Sequence, residues 1–349
     1  MVTGIYMRST AILAVCAMLQ AASPPYKQAL PGYQYRFPAD HFVHEDFRTE
    51  WWYYTGNVTD TAGSRFGFEL VFFRNAERHE TDNISAWNAQ QLYLAHAALT
   101  DVKGGKFNYD ERLNRSGPGV AGAAANHIWN GNWSVVWTGD RQALTATTDN
   151  FRFQLQLVPD KPFVIHGENG VSQKGEGTGR ASHYVSFPRL VVQGEITSGT
   201  AKHQVKGTAW MDHEWFTNNL SDAQLGWNWL SIQLDNRTEL MLYEFRRKDS
   251  ATDPHSAGTY IDAQGQPHHL TQKDFELTPL ATSNGYPTEW RIQIPALKID
   301  LKGKAVLANQ ELKPKQGGPS YWEGAVDFSG SHKGVGYLEM TGYKGAVKI

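Results

Sequence analysis

A chain of 349 residues with 33 basic and 35 acidic side chains carries a net charge of −2. That length exceeds one ordinary compact domain and predicts two, while the balance of signs offers nothing to nucleic acid or an anionic membrane surface. The 12 Trp, 15 Tyr and 16 Phe, with 33 Gly, predict aromatic strands broken by glycine turns; such rings also suit the wall of an apolar pocket.

The N-terminus reads as an export signal over residues 1–22. Arg8 is its positive element, Thr10 to Leu19 its short apolar core and Ala21-Ala22 its small residues for cleavage; the alternative is a buried N-terminal helix. That core is too short for a bilayer anchor, so the expectation is an exported protein, periplasmic or extracellular. Cys16 is the only cysteine, and Leu13-Ala14-Val15-Cys16 loosely matches a lipid-attachment site, although Val15 is larger than usual there. Ordinary cleavage would leave no thiol, hence no disulfide, thiolate metal site or cysteine nucleophile. No later run approaches transmembrane length.

A proline-bearing approach segment (23–40) follows. Strand-like runs then recur at Trp51 to Tyr54, Phe66 to Phe73, Gln91 to Leu99, Trp133 to Trp137, Phe151 to Val158, Arg189 to Ile196 and Val205 to Trp215. The series continues at Gln224 to Leu234, Glu239 to Arg246, Trp290 to Ile294, Lys298 to Leu301 and Gly336 to Tyr343. Helical periodicity is nearly absent, so the expected architecture is all-β, barrels or sandwiches, with loops at Gly117 to Ala125 and Gly167 to Gly179. The hairpin pattern around Trp52 and Phe73-Arg74 has an echo around Trp229 and Phe245-Arg246, which suggests duplication. A break near 197–206 then divides the chain into domains 41–200 and 201–349.

The densest chemistry lies in Gly207 to Trp215. Period-two alternation puts Met211, His213 and Trp215 on one strand face, and Trp210, Asp212 and Glu214 on the other. The acids serve either a barrel-wall charge pair, with Arg246 for instance, or acid–base chemistry. Glu50, between Thr49 and the Trp51-Trp52 pair, is costly to bury alone and is expected to meet Arg48, Arg74 or a polar group in a cleft. His96 alternates with Leu92, Leu94 and Ala98, an inward face that makes it a ligand-contact candidate. Trp51, Trp52, Trp227 and Trp229 are read as core packing or as ligand-stacking rings. The chain lacks a phosphate loop, a Gly-x-Ser-x-Gly elbow and His-rich metal spacing, so no cofactor or metal is implied. His268-His269 is read as a solvated turn.

The run His44-Glu45-Asp46-Phe47-Arg48-Thr49-Glu50-Trp51-Trp52-Tyr53-Tyr54-Thr55-Gly56-Asn57 resembles the signature of the AttH/CrtC family, secreted lipocalin-like proteins related to carotenoid 1,2-hydratase. The resemblance continues through Leu94 to Asp101, Trp210 to Trp215, Tyr286 to Trp290, Tyr321 to Gly324 and Gly336 to Tyr343. It implies two lipocalin-like antiparallel β-barrel domains packed together. For the hydratase branch it also implies a His-x-Trp pair and a later Tyr-x-Asp pair. His213-Glu214-Trp215 matches the first; at the second, Glu244 directly follows Tyr243, and that shift turns the carboxylate to the opposite strand face.

Hydration of an isoprenoid C=C needs a carboxylic acid kept neutral by burial, aromatic faces for the carbocation and a group to position water. The candidate catalytic residues are therefore His213, Trp215 and Tyr243 with Asp212, Glu214 or Glu244. The candidate ligand contacts are Glu50, Trp51, Trp52, His96, Trp227 and Trp229. The expected function is a hydratase acting on an apolar isoprenoid or lipid; the alternative is a non-enzymatic lipophile carrier working beside an ABC-type exporter.

Overall fold

A computed structural model describes residues 26–77, 90–316 and 318–347; the expected export signal and Cys16 lie outside these. Among the described residues the chain is almost wholly strand, with two short 3-10 turns at Ala39–His41 and Pro295–Leu297. The first sheet holds β1 (Thr49–Asp60), β2 (Arg65–Ala76), β3 (Gln91–Asp101), β4 (Lys106–Arg115), β5 (Ala121–Ala124), β6 (His127–Asn130) and β7 (Trp133–Thr138). It continues with β8 (Arg141–Thr147), β9 (Phe151–Pro159), β10 (Val164–Ile165), β11 (Ser172–Gln173), β12 (Ala181–Ser198) and β13 (Ala201–Phe216). The second holds β14 (Gln224–Leu234), β15 (Glu239–Arg247), β16 (Ala257–Ile261), β17 (Pro267–Thr271) and β18 (Glu276–Ser283). Its remaining strands are β19 (Tyr286–Ile294), β20 (Ile299–Ala305), β21 (Glu311–Leu312), β22 (Tyr321–Gly330) and β23 (Gly334–Met340).

Both sheets are antiparallel meanders whose last strand returns beside the first: β13 pairs with β1, and β23 pairs with β14. This shared order accounts for the sequence echo, because the hairpins around Trp52 and Trp229 are β1–β2 and β14–β15. The first sheet is a nearly closed barrel. Side chains bridge its remaining gap, with Asn114 Nδ2 donating to Asn130 Oδ1 at 2.6 Å and Arg112 to the Asn130 carbonyl at 3.0 Å. The second sheet is a half-barrel, and the all-β, two-sheet expectation holds.

The division between the sheets falls later in the chain than expected. Residues 197–206 form a tight hairpin between β12 and β13, where Ser198 pairs with Ala201. The polar Ser-Gly-Thr run has the composition of a linker and serves as a turn. The passage to the second sheet lies between Phe216 and Gln224. Smaller differences also stand: β5 and β11 fall within the predicted loops 117–125 and 167–179, and His268 and His269 lie exposed in β17 instead of a turn.

Strand composition follows exposure. Phe151, Phe153, Leu155 and Leu157 of β9 enter the barrel core while Arg152, Gln154 and Gln156 face water. By contrast most of β1 and residues 209–216 of β13 are buried on both faces. One face enters the barrel, where Trp52, Tyr54 and Met211 pack; the other meets the second sheet through Tyr53, Trp210, Trp229 and Tyr243. The segment before β1 caps the barrel end, with Ala29 and Phe47 packed against Trp215.

The sheets are latched by Lys161, buried between them. Its Nζ donates to the Arg237 carbonyl at 2.5 Å, Glu239 Oε2 at 2.6 Å and the Asp262 carbonyl at 2.7 Å. Arg189 holds the other oxygen of Glu239 at 2.6 Å. Because Arg189 remains to neutralise that carboxylate, Lys161→Ala is expected to cost about 2 kcal/mol. A urea midpoint indistinguishable from that of the wild type would contradict the latch.

Candidate functional site

A cavity of about 430 Å³ lies between the sheets. Its floor is the outward face of β1, β2, β3 and β13, carrying Trp51, Tyr53, Val71, Phe73, His96 and the acids Asp212 and Glu214. Its roof comes from the second sheet through Trp227, Trp229, Tyr243, Phe245, Tyr321 and Glu339. The placement follows from period two: on β13 the even positions face the second sheet, the odd ones the barrel.

Of the acids on the cavity wall, Asp212 accepts the most hydrogen bonds. Tyr184 Oη donates to Oδ2 at 2.6 Å, while Trp210 Nε1, at 2.5 Å, and Ser186 Oγ donate to Oδ1. Behind Ser186 stands His166, with Nε2 2.7 Å from Ser186 Oγ and Nδ1 2.8 Å from Thr259 Oγ1. Burial raises the Asp212 carboxyl, the three donors oppose it, Glu214 adds repulsion, and the result is a pKa of about 7. Burial, with a smaller contribution from the Lys174 ammonium, holds His166 well below the ordinary histidine value, so it is neutral.

Glu214, two residues on, has a different environment. Burial raises its carboxyl too, but Lys174 and a hydrogen bond from Ser182 oppose this. Lys174 Nζ lies 3.4 Å from Glu214 Oε2 and stands over the rings of Tyr243 and Tyr184, 4.0 and 4.7 Å from their centroids. Among the described residues no cation pairs with Asp212. Of two acids about 7 Å apart along one strand face, Asp212 therefore keeps its proton more readily.

A second group of acids lies toward the half-barrel. Trp227 Nε1 donates to Glu339 Oε2 at 2.8 Å, and Tyr53 Oη to Glu323 Oε1 at 2.7 Å. Burial carries Glu339 to about 7. Burial and repulsion from Glu339 carry Glu69 to about 8, and Glu323 is likewise raised well above its ordinary range.

The anticipated site residues divide between two places. Asp212, Glu214, Trp51, Trp227, Trp229, Tyr243 and His96 line the cavity. His213, Trp215, Glu50 and Trp52 lie on the other face, in and at the end of the barrel. There Glu50 Oε1 is 2.8 Å from both His213 Nε2 and His44 Nδ1, and Arg74 Nε donates to Glu50 Oε2 at 3.1 Å. Trp52 stacks on His213 at 5.0 Å, and His44 on Trp215 at 3.9 Å. His44, Glu50 and His213 are the described residues whose donor atoms converge closely enough to hold a metal ion, within 4.8 Å of one another. The adjacent Arg74 guanidinium already supplies the counter-charge. Glu244 joins neither place; it accepts from Asn228 and Thr252, its side chain turned away from Tyr243 as the strand period requires. Arg246 does not meet Asp212 or Glu214 and instead packs over Tyr343, 3.7 Å from the ring centroid.

Several cavity residues escaped the sequence reading. Tyr184 sits between Ser182 and Ser186 on one face of β12, a period-two signal available in Ser182-His183-Tyr184-Val185-Ser186. Lys174 comes from the glycine-rich loop read only as a connection. Glu69, Tyr321 and Glu339 become neighbours only through strand order.

A family model described as AttH-like matches residues 28–343. No curated protein matches the chain. Among solved structures, a candidate AttH from Nitrosomonas europaea is 33% identical with a TM-score of 0.83, covering 91% of this chain and 99% of that one. Kievitone hydratase from Nectria haematococca is similar in fold, at 17% identity and a TM-score of 0.66 over 91% of this chain and 98% of that one. CghA with Sch210972 is more distant, at 10% identity and a TM-score of 0.52 over 90% and 94%.

Proposed function

Taking as premise that the chain belongs to the AttH-like family, we propose that its cavity binds an apolar unsaturated ligand and adds water across a C=C bond. One observation carries this reading: a carboxyl whose pKa is raised to about 7 stands on the wall of an aromatic cavity. Sharing the fold of kievitone hydratase is in keeping with it.

In this mechanism protonated Asp212 transfers its proton to one alkene carbon, leaving a tertiary carbocation and the Asp212 carboxylate. Trp51, Tyr53 and Trp229 present ring faces to that cation. A water oxygen bonds to the cationic carbon and gives a proton to Glu214, which Lys174 biases toward the anion. Passage of that proton through solvent back to Asp212 restores both groups, so water is the only reactant added. The short contacts to Tyr184, Trp210 and Ser186 fix the carboxyl and stabilise it once it is charged.

The test is incubation of the purified protein with farnesol, which carries trisubstituted C=C bonds, in 18O-labelled water. Mass spectrometry should find a labelled tertiary alcohol formed in proportion to protein. Binding of farnesol with no label incorporated across pH 5–8 would sink the hydratase and favour the carrier, which the apolar lining alone supports.

A further inference from the structure

We propose that the end of the cavity remote from Asp212 is a hydroxyl-recognition subsite, where His96 Nε2 accepts from and Glu69 Oε2 donates to an alcohol or phenol at the far end of the ligand. This deepens the hydratase reading by naming a substrate class, a hydroxylated apolar chain instead of a pure hydrocarbon.

The geometry starts from one row across the first sheet. Asp212 pairs with Tyr53, Tyr53 with Val71 and Val71 with His96. Three strand spacings put His96 roughly 14 Å from Asp212 on the same face. Glu69 lies two residues before Val71 on β2, its side chain on that face too. A ligand between the two ends spans the cavity, apolar in the middle against Tyr53, Val71 and Phe73.

The polarity of this end follows from counting protons. Tyr321 Oη donates to Glu69 Oε1 at 3.2 Å, so its lone pairs face His96 Nδ1 at 2.6 Å. In this arrangement Nδ1 carries the imidazole proton and Nε2 is an acceptor; reversing the chain exchanges the roles of Nε2 and the Glu69 oxygen and still leaves one donor and one acceptor. Burial holds His96 down at about 4, which keeps the ring neutral. Burial, reinforced by Glu339, holds Glu69 up at about 8, so its second oxygen carries a proton at neutral pH. Both His96 Nε2 and Glu69 Oε2 are buried without a hydrogen-bond partner among the described residues. Orphaned buried polar atoms are costly, and these two form a complementary acceptor and donor on a cavity wall. A hydroxyl supplies the matching pair. A carboxylate would face Glu69 and Glu339 repulsively, a hydrocarbon would leave both atoms unsatisfied, and an ammonium would have to draw off the proton of Glu69.

The experiment is a tryptophan-fluorescence titration of the wild type and of Asp212→Asn with farnesol, its methyl ether, β-farnesene, farnesoic acid and farnesylamine. Farnesol should bind about tenfold tighter than the ether or the hydrocarbon in both proteins. His96→Leu and Glu69→Leu should bring alcohol and hydrocarbon within about threefold of each other, weakening farnesol and tightening β-farnesene; Glu69→Gln, which keeps a donor, should retain most of the preference. Equal wild-type affinity for farnesol and β-farnesene would overturn the subsite, as would tighter binding of the acid or amine, or leucine variants that still prefer the alcohol. Should a leucine variant not fold, the wild-type ligand series decides. Preference without label incorporation would leave this subsite standing and remove the reaction; hydration without preference would do the reverse.

Discussion

Asp212→Asn is expected to lower farnesol hydration by at least about 100-fold, the scale of a lost general acid. The amide keeps the shape of the side chain but has no proton to give to carbon. A melting temperature close to that of the wild type would separate this loss from damage to the fold, and retained turnover would end the assignment of Asp212. The wild-type rate carries its own signature. The acid must be protonated, and burial sets its pKa near 7, so turnover should be highest below about pH 7 and fall as pH rises through that value. The same shift acts on stability. Between the unfolded value near 4 and the folded value, the native state binds the extra proton, so this group's contribution to stability declines as pH rises across that window. Asp212→Asn should flatten that decline.

The second large effect belongs to the opposite face of the same sheet. Arg74→Ala is expected to cost roughly 3–5 kcal/mol, the penalty for breaking a buried ion pair from one side. Arg74 has no solvent exposure. Besides Glu50 it donates to Gln91 Oε1 at 2.8 Å and to the carbonyls of His44 and Phe47 at 2.8 and 2.6 Å. Burial alone would raise the Glu50 carboxyl; bonds from His213 and His44 outweigh it and hold it well below the usual range. The anion thus persists when the guanidinium is removed. His44 is the remaining counter-charge. Burial opposes its protonation, but Asp40 and Glu50 outweigh that and raise its pKa. Stability from a raised histidine is present below its unfolded pKa and lost as pH rises through the folded one. The variant's deficit in urea unfolding should accordingly be smaller at pH 6 than at pH 8; a deficit under about 1 kcal/mol at both would show the network to be incidental.

Much of this was legible from residue order. Aromatic runs between glycine turns marked about half of the strands, the long ones β1, β2, β3, β13, β14 and β15 among them, since a half-buried pleated surface selects those side chains; the short and polar strands carry no such signal. Period two alone separated Asp212 and Glu214 from His213 and Trp215. Strand order was not legible: without it nothing shows that Tyr184 and Lys174 reach the acids of β13, or that Glu69, Tyr321 and His96 share an end of the cavity. Those contacts join positions tens to hundreds of residues apart and leave no local trace. The domain break was misplaced for a related reason, since Thr197-Ser198-Gly199-Thr200 suits a linker and a hairpin turn alike. Glu50 shows the reverse. The cost of burying an acid beside two tryptophans pointed to an arginine partner, and Arg74 is that partner, at the barrel end and not in the cavity.

The proposed proton donor and much of the cavity's enclosing wall belong to different sheets. Asp212, its short hydrogen bonds to Tyr184, Trp210 and Ser186, and Glu214 all belong to the first sheet. Trp227, Tyr243 and Phe245 come from the second. Trp229 Nε1 of the second sheet donates to Tyr184 Oη at 3.0 Å, so roof and acid are joined through one hydroxyl, and a substitution that reshapes the wall at Trp229 also alters how Asp212 is held.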